Sequence, residues 1–188
     1  MEASRVQPLV QMRDVWTVAD VQALDVDEWW RYEVVDGALI VSPSAGREHE
    51  LVSAEIRAAI WQALPAGQVV VGPMSVAMSP SYFIPDLVVT ERALMRGAEP
   101  LKPADVSLVV EIVSPGSATM DRVVKPAKYA AAGITAFWRL EIAPVSLTAY
   151  RLPAGADVYT EVGRWHAGEI ARIAEPFQVE IDIGPLTG

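Results

Sequence analysis

The sequence predicts a mixed α+β fold: a central mixed sheet flanked by helices, with a hairpin near the N-terminus and a β-rich C-terminal extension. Three observations predict it. Residues 32–41 form two β-type runs around an Asp-Gly pair, residues 47–64 repeat apolar side chains at helical spacing, and further β-type runs lie on both sides of a second helical stretch. Nothing repeats internally and no linker breaks the chain. The 188 residues therefore read as one domain, with its core over residues 20–150 and the extension over residues 151–188. A chain that is 52% hydrophobic, with mean hydropathy of +0.25, can bury a substantial core, which excludes a disordered polypeptide.

Thr17 is an N-cap residue ahead of Val18 to Leu24, which predicts a short first helix. Tyr32–Val35 and Ala38–Val41 are joined by Asp36-Gly37, the two-residue turn that favours a tight hairpin. From Arg47 to Leu64 the residues Leu51, Val52, Ile56, Ala59, Ile60 and Ala63 recur at helical spacing, and Pro65-Ala66-Gly67 ends the run. Three strands are expected next, over Val69 to Ala77, Phe83 to Thr90 and Val106 to Val113. A helix within Arg122 to Ala132 follows, with Gly133 in the position after its C-cap and Pro126 near its start. Thr135 to Glu141 and Val145 to Tyr150 read as a strand pair, and the tail carries short β-type runs.

No apolar run approaches the roughly 20 residues that span a bilayer, and Met1 to Gln7 lacks the charged-then-apolar layout of a secretory signal. The chain reads as soluble and cytoplasmic, with no membrane association. It has no cysteine, which removes disulfides, thiolate nucleophiles and sulfur-ligated zinc and leaves carboxylates, His49 and His166 as metal ligands. Oxygen ligands favour Mg2+ or Mn2+ over zinc. The net charge of -9 and the pI near 4.7 count against a general polyanion binder, so any nucleic-acid partner needs a local basic surface. The densest basic stretch, Arg122, Lys125 and Lys128, with Arg92, Arg96 and Lys102 before it, is the candidate for that surface.

Two carboxylates stand where apolar residues are expected. Strand alternation puts Ser107, Val109, Glu111 and Val113 on one face, with Val106, Leu108, Val110 and Ile112 on the other. Asp86 likewise shares a face with Ile84 and Val88 in an apolar run. An unpaired buried carboxylate costs several kcal/mol, so something cationic must meet each acid. One isolated acid of this kind is as often as not a buried ion pair, but two on separate strands point to a shared cation. Lys125, with Tyr129 four residues on along the same helix face, is the nearest candidate amine.

The ordered set Tyr32-Glu33-Val34-Val35-Asp36-Gly37, Glu48-His49, Pro85-Asp86-Leu87-Val88-Val89, Glu111-Ile112-Val113-Ser114-Pro115-Gly116-Ser117, Asp121, Lys125, Tyr129, Ala132-Gly133-Ile134 and Phe137-Trp138-Arg139 resembles the Uma family of restriction endonucleases, of the PD-(D/E)XK nuclease superfamily. The likeness runs from about Asp20 to about Tyr150. It implies a restriction-endonuclease-like core in which Asp86 and Glu111 bind a divalent metal together with the main-chain carbonyl of Ile112, and Glu33 is a further acid at the site. The superfamily's usual lysine falls at Val113, an apolar residue here, and the resemblance implies that Lys125 supplies the amine from the following helix.

On that basis the expected function is a Mg2+- or Mn2+-dependent endonuclease that hydrolyses phosphodiester bonds, in DNA, with Asp86, Glu111 and Lys125 catalytic and His49 and Tyr129 in support. A homodimer is the arrangement that cutting both strands calls for. Two alternatives stay open: a catalytically inert protein of the same fold that binds nucleic acid or a protein partner, and a paired-carboxylate hydrolase acting on sugars. A serine hydrolase lacks its Gly-x-Ser-x-Gly elbow, and no phosphate-binding glycine loop is present.

Overall fold

The computed structural model describes residues 13–24, 29–184 and 186; the Met1 to Gln7 stretch considered for a secretory signal lies outside them. The first helix, α1 (Val18–Gln22), is closed by a capping box in which the Thr17 hydroxyl accepts from the Asp20 amide and the Asp20 carboxylate accepts from the Thr17 amide. The hairpin is formed by β1 (Trp30–Val35) and β2 (Ala38–Pro43), and Val35 pairs with Ala38 across a two-residue turn. Asp36 and Gly37 both have positive φ (49° and 86°), the geometry that makes this turn match the strand twist.

The long helix is α2 (Arg47–Ala63), with Val52, Ile56 and Ile60 on its buried face. Leu51, expected in that stripe, is exposed: it lies one position before Val52 and so about 100° around the helix from it. The two expected strands that follow are each broken in two. Residues 69–77 give β3 (Gln68–Val71) and β4 (Val76–Met78), while residues 83–90 give β5 (Ser81–Phe83) and β6 (Leu87–Glu91). The breaks fall at Gly72-Pro73 and Ile84-Pro85, where proline removes a ladder donor. Asp86 therefore sits at the mouth of β6 rather than within a strand.

The remaining elements are β7 (Val106–Val113), a π-helical turn over Met120–Val124, α3 (Lys125–Ala131), β8 (Ala136–Ile142), β9 (Val145–Arg151), β10 (Thr160–His166), β11 (Ile170–Ile173) and β12 (Val179–Asp182). Gly133, with φ of 83°, ends α3: its amide donates to Ala130 and that of Ile134 donates to Tyr129, a Schellman closure.

Six strands form the main sheet in the order β10-β9-β8-β7-β6-β3, and the hairpin joins β5 and β4 in a second sheet, β2-β1-β5-β4. Only β7 and β8 run parallel in the main sheet, joined by the crossover that carries α3. Leu108, Val110 and Ile112 face α2 and the β11–β12 ribbon, which lays Ile173 and Ile181 into the same buried cluster. Val109 and Phe137 face the other way, toward Tyr129 of α3 and Phe83 of β5. This is the expected mixed sheet with a helix on each face. Among the described residues no helix is long and apolar enough to cross a membrane.

Candidate active site

Four elements deliver charged side chains to one buried place at the end of β7. Glu111 projects from the α3 face of β7 and is fully buried; the Tyr129 hydroxyl donates to its Oε1 at 2.5 Å, and Lys125 Nζ lies 3.2 and 3.3 Å from its two oxygens. Glu33 comes from β1, where its Oε1 accepts from the Ile84 amide at 2.8 Å and faces Lys125 Nζ at 3.1 Å. Asp121, on the π-helical turn, adds a third carboxylate 3.5 Å from that amine. Its other oxygen accepts from the Ser117 hydroxyl. Lys125 opens α3 one turn beyond Asp121, with Pro126 next to it where a missing amide is harmless.

Asp86 closes the group from the mouth of β6. Its Oδ1 accepts from Arg31 Nη1 at 2.9 Å, and its Oδ2 accepts from the Ile112 amide at 2.8 Å and from His49 Nε2 at 3.1 Å. Both main-chain groups of a strand residue point to the same neighbour, so the Ile112 carbonyl faces the Asp86 side as well. The backbone at Gly72 approaches so closely that a Cβ there would lie 1.8 Å from the Asp86 carbonyl oxygen; only glycine fits.

Burial acts to raise the pKa of Asp86, but the His49 hydrogen bond and the charges of Arg31, His49 and Lys125 outweigh it and hold the carboxyl well below its usual range. Glu111 goes the other way: burial pushes it well up, Lys125 offsets part of this, and Asp86, Asp121 and Glu33 add to the rise. Burial also raises Asp121. Desolvation would lower Lys125, yet Glu111, Glu33 and Asp121 around it raise it, so the amine stays charged. Tyr129 is raised by burial and by the adjacent Glu111, and remains a phenol that donates.

The sequence-predicted residues Asp86, Glu111, Ile112, Lys125, Glu33, His49 and Tyr129 are thus brought together, while Val113 is buried beside them as an apolar residue. His166 stands apart on the exposed edge strand β10. Four of the six basic residues picked out for a local cationic surface are engaged within the fold. Arg122 pairs with Glu141, Lys128 with Asp36, Arg92 lies over the Trp61 ring, and Lys125 is buried. Sequence reasoning missed Arg31, although strand alternation puts it on the same face of β1 as Glu33.

Glu33, Asp86, Glu111 and Asp121 are four carboxylates facing three cationic groups, Arg31, Lys125 and His49. A buried cluster with surplus negative charge and hard oxygen donors fits a divalent cation. Among the described residues, however, no three of His, Asp and Glu gather as a ready-made metal cage. Magnesium needs none, because it is commonly held by one or two carboxylates plus water and substrate phosphate.

A mixed sheet with Pro-Asp at the mouth of one strand, an acid near the end of the next, and a lysine against that second acid defines the class of PD-(D/E)XK, restriction-endonuclease-like folds. The chain belongs to the Uma2 family, described as "Putative restriction endonuclease", whose profile matches residues 18–184. Its fold is similar to the crystal structure of "a putative nuclease belonging to DUF820" from Anabaena variabilis, with a TM-score of 0.71 at 16% identity, covering 92% of this chain and 97% of that one. No curated protein matches the chain.

Proposed function

We propose that the protein is a metal-dependent endonuclease that hydrolyses phosphodiester bonds in DNA, with Asp86, Glu111 and Lys125 as its catalytic residues. The observation that carries this reading is the meeting of the Lys125 amine with Glu111, beside an Asp86 tied to the very next residue of β7, Ile112. Asp86, Glu111 and the Ile112 carbonyl would hold Mg2+ or Mn2+, with Glu33 as the further acid. Such an ion, when bound, polarises the phosphate and makes water a stronger nucleophile. Lys125, kept charged by its acids, acts as an electrostatic clamp on phosphate oxygens rather than as a base. Tyr129 orients Glu111, and His49 orients Asp86. Two chains, each with one site, are the assembly that cutting both strands of a duplex calls for.

Incubation of purified protein with plasmid and either metal tests the reading. Cutting is expected to fall at least about a hundredfold in Asp86→Asn and Glu111→Gln, the scale of losing one preorganised charge-stabilising group. Wild-type protein that cuts no better than these variants would refute it.

One observation favours a second reading, an inert protein of the same fold that binds nucleic acid or a protein partner. Both Asp86 oxygens already have partners in Arg31, His49 and the Ile112 amide. Calorimetric titration with Mg2+ and Mn2+ separates the two. Binding that disappears in Glu111→Gln counts against inertness, whereas binding unchanged in that variant, or absent both with and without duplex, counts against the metal-dependent enzyme.

A further inference from the structure

The Asp86 carboxylate also closes one wall of a cleft of about 90 Å³, lined in addition by Arg31 of β1, by His49, Ser53 and Arg57 of α2, and by Gly72. His49, Ser53 and Arg57 are spaced four apart and so form a polar stripe along α2, beside the buried stripe of Val52, Ile56 and Ile60. We propose that this cleft is a phosphate-binding subsite for a backbone phosphodiester of a nucleic-acid strand, next to the group held at Asp86 and Glu111. The proposal rests on the nuclease reading for its substrate class, and its own observations are independent of the acids' chemistry.

Arg57 is exposed and, among the described residues, has neither a hydrogen bond nor an ion pair, unlike Arg122, Arg164 and Arg172, each of which meets a glutamate. Arg31 uses one nitrogen on Asp86, which leaves the rest of its fork of donors for another oxyanion. His49, whose Nε2 meets Asp86, adds a third basic group to the lining. Glu50 lines the cleft as well. With Glu50 and Asp86 on its walls, the two arginines suit the single charge of a phosphodiester better than the double charge of free phosphate. The cleft thereby supplies the local cationic contact that a chain of net charge -9 needs in order to hold a polyanion.

The test is binding of a fluorescently labelled DNA duplex by anisotropy, in chelator so that no strand is cut, across a salt series. Arg57→Gln, at an exposed position where folding is unaffected, is expected to weaken binding about threefold to tenfold and to lower the slope of log K against log salt by about 1. Arg164→Gln, on the edge strand β10 four strands across the sheet from β6, serves as the control and leaves both unchanged. Equal binding by wild type and Arg57→Gln overturns the subsite, even where wild type cuts DNA and the nuclease reading stands. Weaker binding by Arg57→Gln in a protein that never cuts with any metal supports the subsite and removes the nuclease reading. Inorganic phosphate, titrated as an unlabelled competitor, separates the ligand sources: competition as tight as that of unlabelled duplex overturns the assignment to a phosphodiester strand.

Discussion

The two faces of β7 are built from neighbouring residues and do opposite things. Leu108, Val110 and Ile112 meet α2 and the β11–β12 ribbon in one apolar cluster. Val109, Glu111 and Val113 point the other way, where the apolar cluster around Phe137 and Tyr129 gives out and Glu111 meets Lys125. Burial favours the first face throughout, at roughly 25 cal/mol per Å² of apolar area. The same burial works against the second, raising Glu111 and Asp121 and leaving more acids than cations. One face holds the sheet together so that the other can keep an unfavourable charge in place.

That contrast breaks most sharply at Lys125. Lys125→Met removes the one amine shared by Glu33, Glu111 and Asp121, and denaturant melts are expected to show a loss of about 3–5 kcal/mol, as when a buried ion pair loses one partner. Any cutting should fall with it by about 10²–10³-fold, since a charge-stabilising group is lost too. Ile56→Ala, on the apolar face, should lower stability by about 2–5 kcal/mol through the cavity it leaves. Here the cutting per folded molecule should be unchanged; a matching fall in activity would mean that the two faces are not separable.

The smallest effect is a pH dependence, and its sign differs between acids of the same cluster. Asp86 has a lowered folded pKa, so its stabilisation is present above its unfolded value of about 4 and is lost as pH falls through the folded value. Glu111, with a raised folded pKa, acts in the opposite sense: its contribution is present below its unfolded value and is lost as pH rises through the folded one. Thermal melts across the acid range should therefore show a flatter acid limb for Asp86→Asn than for wild type. An unchanged limb would mean that Arg31 and His49 do not hold that carboxylate.

Local signals carried most of what was legible. Asp36-Gly37 fixed the hairpin because two positive φ angles must fall on adjacent residues, and Gly133 marked the end of α3 for the same reason. Alternation along β7 placed Glu111 on its face correctly, and Asp86, though outside the strand drawn for it, still reached the cluster because β6 begins immediately after it. What was not legible depended on partners far away in the chain. Asp36 lies 92 residues from Lys128, and Arg31 lies 55 residues from Asp86, so neither the engagement of Lys128 nor the true partner of Asp86 shows in any local pattern. The close packing of Gly72 on the carbonyl of Asp86 belongs with these, although Pro73 beside it marked the break of the 69–77 run locally.

The spread of the Lys125 contacts along the chain has a consequence for synthesis. Glu33 emerges from the ribosome long before the amine that it must face, and Asp86 and Glu111 follow with the amine still to come. A nascent or prematurely ended chain that stops short of Lys125 carries Glu33, Asp86, Glu111 and Asp121 without the amine that three of them face. Such a chain has no amine to meet Glu33, Glu111 and Asp121, so the cluster closes only once α3 has been made.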